Sequence, residues 1–399
     1  MRQTAFRFPV TTLAVSSLNN IIALHDKQYV EPKYRWKFFL SCAASGILGP
    51  FTLAERLLWQ KRIRNHSLKT PPLFIIGFWR SGTTLLHNLL CQDPAAAYTT
   101  TFQTVFPNLI LSQSWWLKTF TNHFLPPRRP YDNISMDMDF PQEEDFGMMN
   151  IQPSTIYKFF LFPAEFDNII EKELFTGSLP PEIIAQWKEA YRCMIAKAVF
   201  NTRGTRYVGK NPCHLTRIGL LIEMFPDAKF IFIHRHPYKV IESLYHFILS
   251  VFPGVQLQDV PQDFSRKKVV NLYKRAMDAY FRDRDQIPAS NLIELKMDDF
   301  VGDIPRHLNE IYTKFGLGDF GKVSSRFNQY LDQNPAPERK PNPPTPETIG
   351  LVDQYAPGIM QKLGYSRDGD VVSTSPNPDK LFQFGSGEKL HKVSCKWLD

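Results

Sequence analysis

Cysteine is scarce in this sequence and forms no metal-binding pattern. The 399 residues contain five cysteines, which are scattered and show no CxxC pair. An odd, scattered set of cysteines is typical of reduced thiols, so we expect a cytoplasmic protein without zinc. The sequence contains no other constellation of metal ligands. We therefore expect a reaction that needs no metal.

The sequence also lacks a secretory signal, internal repeats and a concentrated basic stripe. The first 35 residues have no compact charged region, apolar region and small-residue cleavage site in succession. The formal net charge is +8, but acidic residues are plentiful as well. This balance favours anionic small molecules or an anionic membrane surface over nucleic acid as a partner. The sequence does not indicate an oligomeric state.

The clearest pattern in the sequence is a strand, a glycine-bounded loop and a helix. Leu73–Ile76 is a short apolar run that predicts a buried strand, and the loop runs from Gly77 to Gly82. From Thr83 onward, leucines recur on one side of a predicted helix. In this layout, loop amides and the helix N-terminus point at an anion. The stretch therefore predicts a site for a phosphate-like group.

One position distinguishes this loop from a nucleotide-binding Walker loop. A Walker loop has lysine directly after its second glycine, where it reaches the terminal phosphates. Here that position is Thr83, followed by Thr84, and the cation has moved back to Arg80. This difference weakens a kinase or NTPase interpretation, which stays open as an alternative.

A second anion site is predicted after another buried strand. Lys229–Ile233 is strongly apolar, Arg235 follows it, and Pro237 suits the first position of a helix. Ser243 lies eight residues after Arg235, two turns into that helix. A guanidinium, a helix N-terminus and a hydroxyl together suit a second phosphate.

Strands and helices alternate along most of the chain. This order predicts an α/β fold: a P-loop-like parallel sheet flanked by helices, with a helical N-terminal extension. Arg80, Lys210 and Arg235 each follow a predicted strand, so the carboxyl edge of the sheet should collect all three cations. We divide the chain into a helical and membrane-associated extension, a catalytic domain and a tail, at residues 1–70, 71–366 and 367–399.

An uncharged stretch, Phe38–Ala54, interrupts the N-terminal region. It has basic residues on both sides, and Gly46, Gly49 and Pro50 interrupt its helical pattern. The pattern predicts a helical hairpin, or an interfacial segment lying on the inner face of a membrane. A helix pair that covers the core is an equally good interpretation.

An acidic run stands between apolar neighbours in the segment FPQEEDFGMM. It contains Glu143, Glu144 and Asp145. A solvated loop is the usual explanation for such a run. The apolar flanks also allow a partly buried carboxylate with a raised pKa, which a general base requires.

The two anion motifs, GFWRSGTT and KFIFIHRHPYKVIESL, resemble those of sulfotransferases that use 3′-phosphoadenosine-5′-phosphosulfate (PAPS). The likeness is greatest to the bacterial and Golgi-type branch, which often has arginine in the first loop. The resemblance implies that the 5′-phosphosulfate is held by Arg80, Ser81, Gly82, Thr83 and Thr84. It implies that Arg235 and Ser243 hold the 3′-phosphate. The segment GKNPCHL resembles that branch's Lys-x-Pro motif, which places Lys210 at the transferring sulfuryl group.

The chain departs from the family pattern in two ways. The Lys-Thr-His base motif of cytosolic members is absent, and Gln103 stands where some relatives have a glutamate. The candidates for the general base are therefore Glu143 and Glu144, followed by His214 and then His87. The Arg-Lys-Gly cofactor motif is also missing, and Arg339 and Lys340 are candidates to replace it.

The expected reaction moves a sulfuryl group from PAPS to a hydroxyl and leaves adenosine 3′,5′-bisphosphate. Aromatic residues from Phe102 to Tyr131 favour a hydrophobic acceptor such as a sterol, a steroid or another lipid alcohol. A carbohydrate or a peptide tyrosine is the alternative acceptor. A membrane module that binds nucleotide without catalysing a reaction is the least favoured interpretation.

Overall fold

The computed structural model describes residues 15–25, 28–112, 114–122, 137–175, 179–334 and 343–367. Its centre is a five-stranded parallel sheet in the order β2-β3-β1-β4-β5. In chain order the strands are β1 (Leu73–Ile76), β2 (Ala96–Ala97), β3 (Arg206–Lys210), β4 (Lys229–His234) and β5 (Leu292–Lys296). The predicted parallel sheet is confirmed, and β1 is its middle strand.

The middle strand is apolar on both faces because helices cover both sides of the sheet. Phe74 and Ile76 pack into one core cluster, and Leu73 and Ile75 pack into the other. This alternation follows from the two-residue period of a strand. The chain therefore needs a continuous apolar run at β1, as buried parallel strands usually do.

The larger core cluster lies under helices from the middle and the end of the chain. These helices are α8 (Pro181–Thr202), α9 (Ile218–Met224), α10 (Pro237–Val255), α11 (Arg266–Asp283), α15 (Pro346–Tyr355) and α16 (Pro357–Lys362). The opposite face is covered by α3 (Thr83–Leu90), α12 (Met297–Gly302), α13 (Ile304–Phe315) and α14 (Ser324–Gln333). Short helices complete the connections: α4 (Thr101–Val105), α5 (Ser114–Asn122), α6 (Glu144–Met148) and α7 (Phe166–Ile169).

The N-terminal region consists of α1 (Leu18–His25) and one long helix, α2 (Arg35–Arg64). The hairpin interpretation of Phe38–Ala54 is wrong, because α2 continues through Gly46, Gly49 and Pro50. Proline removes one helical hydrogen bond but does not end a helix that is held on both sides. On the N-terminal side of Pro50, Ser45 donates to the Ser16 carbonyl. On its C-terminal side, Glu55 accepts from the Leu111 backbone N–H.

Some predicted features lie outside the described residues. Arg339 and Lys340 fall in the segment 335–342, and nearly all of the predicted tail falls in 368–399. The end of the aromatic stretch from Phe102 to Tyr131, residues 123–131, also lies outside the described residues. The candidate active site consists of the sheet edge and the segments around it.

Candidate active site

The loop after β1 turns sharply and fits against the neighbouring strand. A side chain at Gly77 would place its Cβ 2.4 Å from the Ile233 carbonyl oxygen, so only glycine fits there. Arg80 and Gly82 have φ angles of 68° and 91°, in the left-handed region. For a residue other than glycine this conformation costs about 1–2 kcal/mol. The fold thus holds Arg80 in a strained conformation, which is common at ligand sites.

The end of the loop presents hydroxyls and amides together. Ser81 and Thr83 are buried, and Thr84 is half-buried. Gly82 is the N-cap of α3 and provides no side-chain acceptor for the first-turn N–H groups. Those groups therefore suit an anion, which the helix dipole also favours.

Arg80 connects the first anion loop to the second predicted site. Its Nε donates a hydrogen bond to Ser243 Oγ at 3.0 Å, and its guanidinium lies 5.3 Å from the centre of the Phe247 ring. Ser243 and Phe247 are both on α10. The two predicted phosphate sites are therefore neighbours on one edge of the sheet.

Arg235 follows β4 on the same edge and is partly buried. Its Nε is buried and has no hydrogen-bond partner within the residues that the structure describes. Burial lowers the pKa of Arg235, and the cation of Arg80 lowers it further, although Asp298 opposes both. A bound anion would satisfy this guanidinium and offset the repulsion between the two arginines.

Next to these arginines is a group that we call the open cluster: Glu143, Lys210, Tyr157 and Trp79. Lys210 and Tyr157 each donate a short hydrogen bond to Glu143, one to each carboxylate oxygen. The Glu143 side chain is 15% exposed and that of Lys210 is 3% exposed. Glu143 is thus held by two donors and is still accessible from the sheet edge.

Trp79 ties the open cluster to the anion loop. Its Nε1 donates to the Tyr157 hydroxyl at 3.2 Å, and Tyr157 stacks on Phe146 with ring centres 4.3 Å apart. Sequence reasoning missed both Trp79 and Tyr157. The position of Trp79 inside the loop was a usable signal, but nothing in the local sequence marks Tyr157.

Glu144 lies in a different group, which we call the sealed cluster: Glu144, Tyr191, Tyr207 and His214. Both tyrosine hydroxyls donate to Glu144 Oε1, at 3.3 Å from Tyr191 and 3.0 Å from Tyr207. Glu144 is fully buried. Burial raises its pKa to about 7, its own backbone N–H opposes the rise, and Asp145 adds to it.

The two candidate histidines are also buried. His214 lies 2.9 Å from the Tyr191 hydroxyl, and burial holds its pKa well below the usual value, with Arg217 adding to the effect. His87 contacts the Val208 carbonyl, and burial and then Lys210 lower its pKa to about 3. Their side chains are almost completely buried, at 0% exposed for His214 and 1% for His87, so neither ring is accessible to an acceptor hydroxyl. The geometry therefore favours Glu143 over them as the base.

The remaining residues of interest have structural contacts. Gln103 is fully buried and donates to the Met194 carbonyl at 2.8 Å. Asp145 accepts two hydrogen bonds from Arg217, at 2.8 and 3.1 Å, in a buried ion pair. The three acids of the run thus lie in three different environments.

The parallel sheet, the loop with Arg80 and the second arginine site define a group-transfer enzyme with a P-loop-like fold. The chain belongs to the sulfotransferase family, whose model matches residues 71–320. It is 30% identical over 356 residues to omega-hydroxy-beta-dihydromenaquinone-9 sulfotransferase Stf3 of Mycobacterium bovis and of Mycobacterium tuberculosis. The match covers 87% of this chain and 87% of each relative.

Two solved structures share the fold. Sulfotransferase STF9 from Mycobacterium avium superposes with a TM-score of 0.69 at 18% identity, covering 88% of this chain and 91% of that one. Sulfotransferase STF1 from Mycobacterium tuberculosis gives 0.59 at 17% identity, covering 85% and 91%. At these identities the likeness concerns the fold alone.

Proposed function

We propose that this enzyme transfers a sulfuryl group from PAPS to the hydroxyl of a lipid. The observation that carries the proposal is the hydrogen bond between Arg80 and Ser243, which joins two anion sites beside an accessible carboxylate. PAPS carries anionic groups on two positions of its ribose, the 3′ and the 5′ oxygens, which suits two neighbouring sites of this kind. The unpartnered Nε of Arg235 fits the same group, because it still lacks an acceptor among the described residues.

The donor-binding residues follow from this arrangement. Arg80, Ser81, Thr83 and Thr84, with the amide of Gly82, would hold the 5′-phosphosulfate. Arg235 and Ser243 would hold the 3′-phosphate. When bound, the donor supplies the sulfuryl group.

Glu143 is the proposed general base. Its carboxylate takes the proton of the acceptor hydroxyl while the new oxygen–sulfur bond forms and the sulfur–phosphate oxygen bond breaks. Lys210 and Arg80 offset the negative charge that builds on the leaving oxygen. Lys210 also donates a hydrogen bond to Glu143. The same side chain would therefore position the base and stabilise the leaving group.

The acceptor proposed here is a hydrophobic alcohol. Tyr157 contacts Glu143 directly, and Trp79 and Phe146 both contact Tyr157. Phe247 lies beside Arg80. Phe102 and Phe106, by contrast, pack against each other and belong to a separate core cluster. Two relatives are named for a hydroxylated menaquinone, which favours a long-chain isoprenoid alcohol over a sterol or steroid. The scattered cysteines favour a cytoplasmic location.

The test is an acceptor screen with labelled PAPS and a panel of lipid alcohols, sterols, sugars and tyrosine peptides. We expect label to transfer to an isoprenoid or related lipid alcohol. Calorimetry should show that adenosine 3′,5′-bisphosphate binds about 10–100-fold more tightly than adenosine 5′-monophosphate, because charge-assisted contacts to the 3′-phosphate are lost. Equal affinities would contradict the second site, and phosphoryl transfer from ATP would support the kinase alternative.

A further inference from the structure

The outer face of α2 is apolar from Trp36 to Leu58. Its exposed large side chains are mostly spaced by three, four or seven residues, which places them on one side of the helix. Ile47 and Leu57 are 71% and 73% exposed, so most of each side chain meets solvent. We call this surface the outer face, and it comprises Trp36, Phe39, Leu40, Ile47, Phe51, Leu53, Leu57 and Leu58.

The inner side of α2, which contacts the rest of the protein, buries polar groups beside apolar ones. Ser41, Ser45 and Glu55 are buried there, as is Ile63. Ser45 donates to the Ser16 carbonyl at 2.6 Å, and Glu55 accepts from the backbone N–H groups of Leu111 and Ser112 at 3.0 Å each. A helix on a water-facing surface normally has the reverse arrangement. The burial of polar groups in specific hydrogen bonds fixes which side of α2 faces outward.

The outer face does not stand alone. Leu18 and Ile22 of α1 are exposed, and so is Trp115 of α5, whose neighbour Trp116 contacts Phe51 with ring centres 6.0 Å apart. Within the ranges that the structure describes, every exposed large hydrophobic side chain except Trp115 lies between residues 18 and 58. Among the described residues, the large exposed apolar side chains are therefore concentrated in the N-terminal region, and such concentrations are typical of interaction sites.

The exposed charges on α2 itself have one sign. Arg35, Arg56, Lys61, Arg62 and Arg64 are exposed on α2, whereas its one acidic residue, Glu55, is buried. A second copy of the chain would bring these cations against each other. An anionic bilayer would neutralise them and also take up the apolar side chains.

We propose that α2 docks the enzyme flat on an anionic membrane surface, with the outer face in the lipid. By length and composition the segment Pro32–Arg64 could cross a membrane. A helix that crosses the membrane would need lipid around its whole circumference. The inner side of α2 is instead bound to the rest of the protein, because Glu55 accepts from Leu111 and pairs with Lys197. The docked helix therefore lies in the plane of the interface.

The docking elements also contact the chain close to Glu143. On α1, Asn20 donates to the Met149 carbonyl at 2.9 Å, and just before that helix Ser16 donates to the Asn150 carbonyl at 3.1 Å. Both carbonyls belong to the segment that begins at Glu143. Membrane docking would thus bring the open cluster to the bilayer, and the acceptor would be a lipid resident in it. This last step rests on the proposed function, whereas the docking itself does not.

The experiment is flotation of the full-length protein with two kinds of vesicle. One contains phosphatidylcholine alone and the other phosphatidylcholine with phosphatidylglycerol. We expect the protein to float with the anionic vesicles and to be released by high salt. A variant with Phe39→Ser, Ile47→Ser and Leu57→Ser should bind them at least about tenfold more weakly, because apolar area drives insertion.

Two comparisons keep the result specific. Lys274→Ser with Asp278→Ser alters an exposed pair on α11 and should leave flotation unchanged. Arg56→Gln with Lys61→Gln should weaken binding to anionic vesicles and reduce its salt dependence. Because all these side chains are exposed, each variant should still bind adenosine 3′,5′-bisphosphate, which reports that the body is folded.

Three outcomes would overturn the proposal. They are wild-type protein that stays in solution, wild-type protein that resists carbonate extraction as a spanning protein does, and a wild-type dimer that the three serine substitutions dissociate. Transfer to an acceptor in detergent separates the two proposals. If flotation succeeds and no acceptor is sulfated in detergent or in vesicles, the docking holds and the proposed function fails.

Discussion

The open cluster and the sealed cluster start from neighbouring residues and differ in nearly every property. Glu143 is accessible and is bound by Lys210 and Tyr157. Glu144 is fully buried, accepts from two tyrosines, and has a pKa raised to about 7 by burial. A single step along the chain thus separates a carboxylate suited to proton transfer from one suited to the core.

The backbone explains how neighbours come to face opposite ways. Glu143 is the N-cap of α6 and has extended dihedral angles, φ −72° and ψ 131°, while Glu144 is the first residue of the helix. The two carboxylates meet successive residues of strand β3. A side chain at Gly209 would place its Cβ 2.3 Å from Glu144 Oε1, and the next residue, Lys210, binds Glu143. Acidic residues in a run must therefore be assigned one by one.

The largest expected effect on turnover is that of replacing Glu143. Glu143→Gln should lower kcat about 10²–10⁴-fold, because the amide cannot take up the proton of the hydroxyl that receives the sulfuryl group. Affinity for adenosine 3′,5′-bisphosphate should change little, since Glu143 contacts neither proposed phosphate site. Single-turnover transfer of labelled sulfate measures the effect, with Glu144→Gln as the matched control. Normal turnover in Glu143→Gln together with loss in Glu144→Gln would reverse the assignment.

Lys210 should show the next largest effect. Lys210→Ala removes a cation from the leaving oxygen and a donor from Glu143, so kcat should fall about 10²-fold. The Michaelis constant for PAPS should rise much less, because the lost contact forms mainly in the transition state. Lys210→Arg should restore part of the activity. A change confined to donor affinity would show that Lys210 only binds substrate.

Tyr157 tests how the open cluster is positioned. Tyr157→Phe keeps the stacking on Phe146 and removes the hydroxyl that donates to Glu143. We expect kcat to fall about tenfold with little change in Michaelis constants, as for one lost hydrogen bond to a charged group. Trp79→Phe removes the bond to that hydroxyl and part of a buried ring but leaves both donors to Glu143 in place, so it should have a smaller effect on kcat. An unchanged kcat in Tyr157→Phe would show that Lys210 alone positions the base.

Local sequence patterns are sufficient to predict most strands of the sheet and the edge at which its cations lie. The strands β1, β3, β4 and β5 are predictable because each is a short apolar or β-branched run that ends in a glycine, a cation or a turn. The strand β2 has only two residues, Ala96–Ala97, and has no periodicity to detect. Contacts between distant segments are not predictable either, so sequence reasoning misses the bond from Tyr157 to Glu143.

The N-terminal helix shows a second limit of local reasoning. Gly46, Gly49 and Pro50 have low helix propensity, which is why the sequence predicts a hairpin there. Tertiary contacts on both sides of Pro50 outweigh that propensity, since Ser45 and Glu55 both bind groups far away in the sequence. Propensity scales carry no information about such contacts.

Glu144→Gln should have the smallest effect on turnover and a clear effect on stability. Because burial raises the pKa of Glu144 from 4.5 to about 7, the folded state holds this proton more tightly than the unfolded chain. The contribution of this protonated carboxyl to the free energy of unfolding is complete below pH 4.5 and is lost as pH rises to about 7. This loss lowers the free energy of unfolding by about 3 kcal/mol.

An uncharged glutamine in place of Glu144 would remove this pH dependence. Urea unfolding at about pH 5 and pH 8 should therefore give more similar stabilities for the variant than for the wild type. Glu143→Gln is the matched control and should keep the wild-type difference while losing turnover. An unchanged pH dependence in Glu144→Gln would mean that another buried group titrates, and the sealed cluster would then have no special place in the stability of the fold.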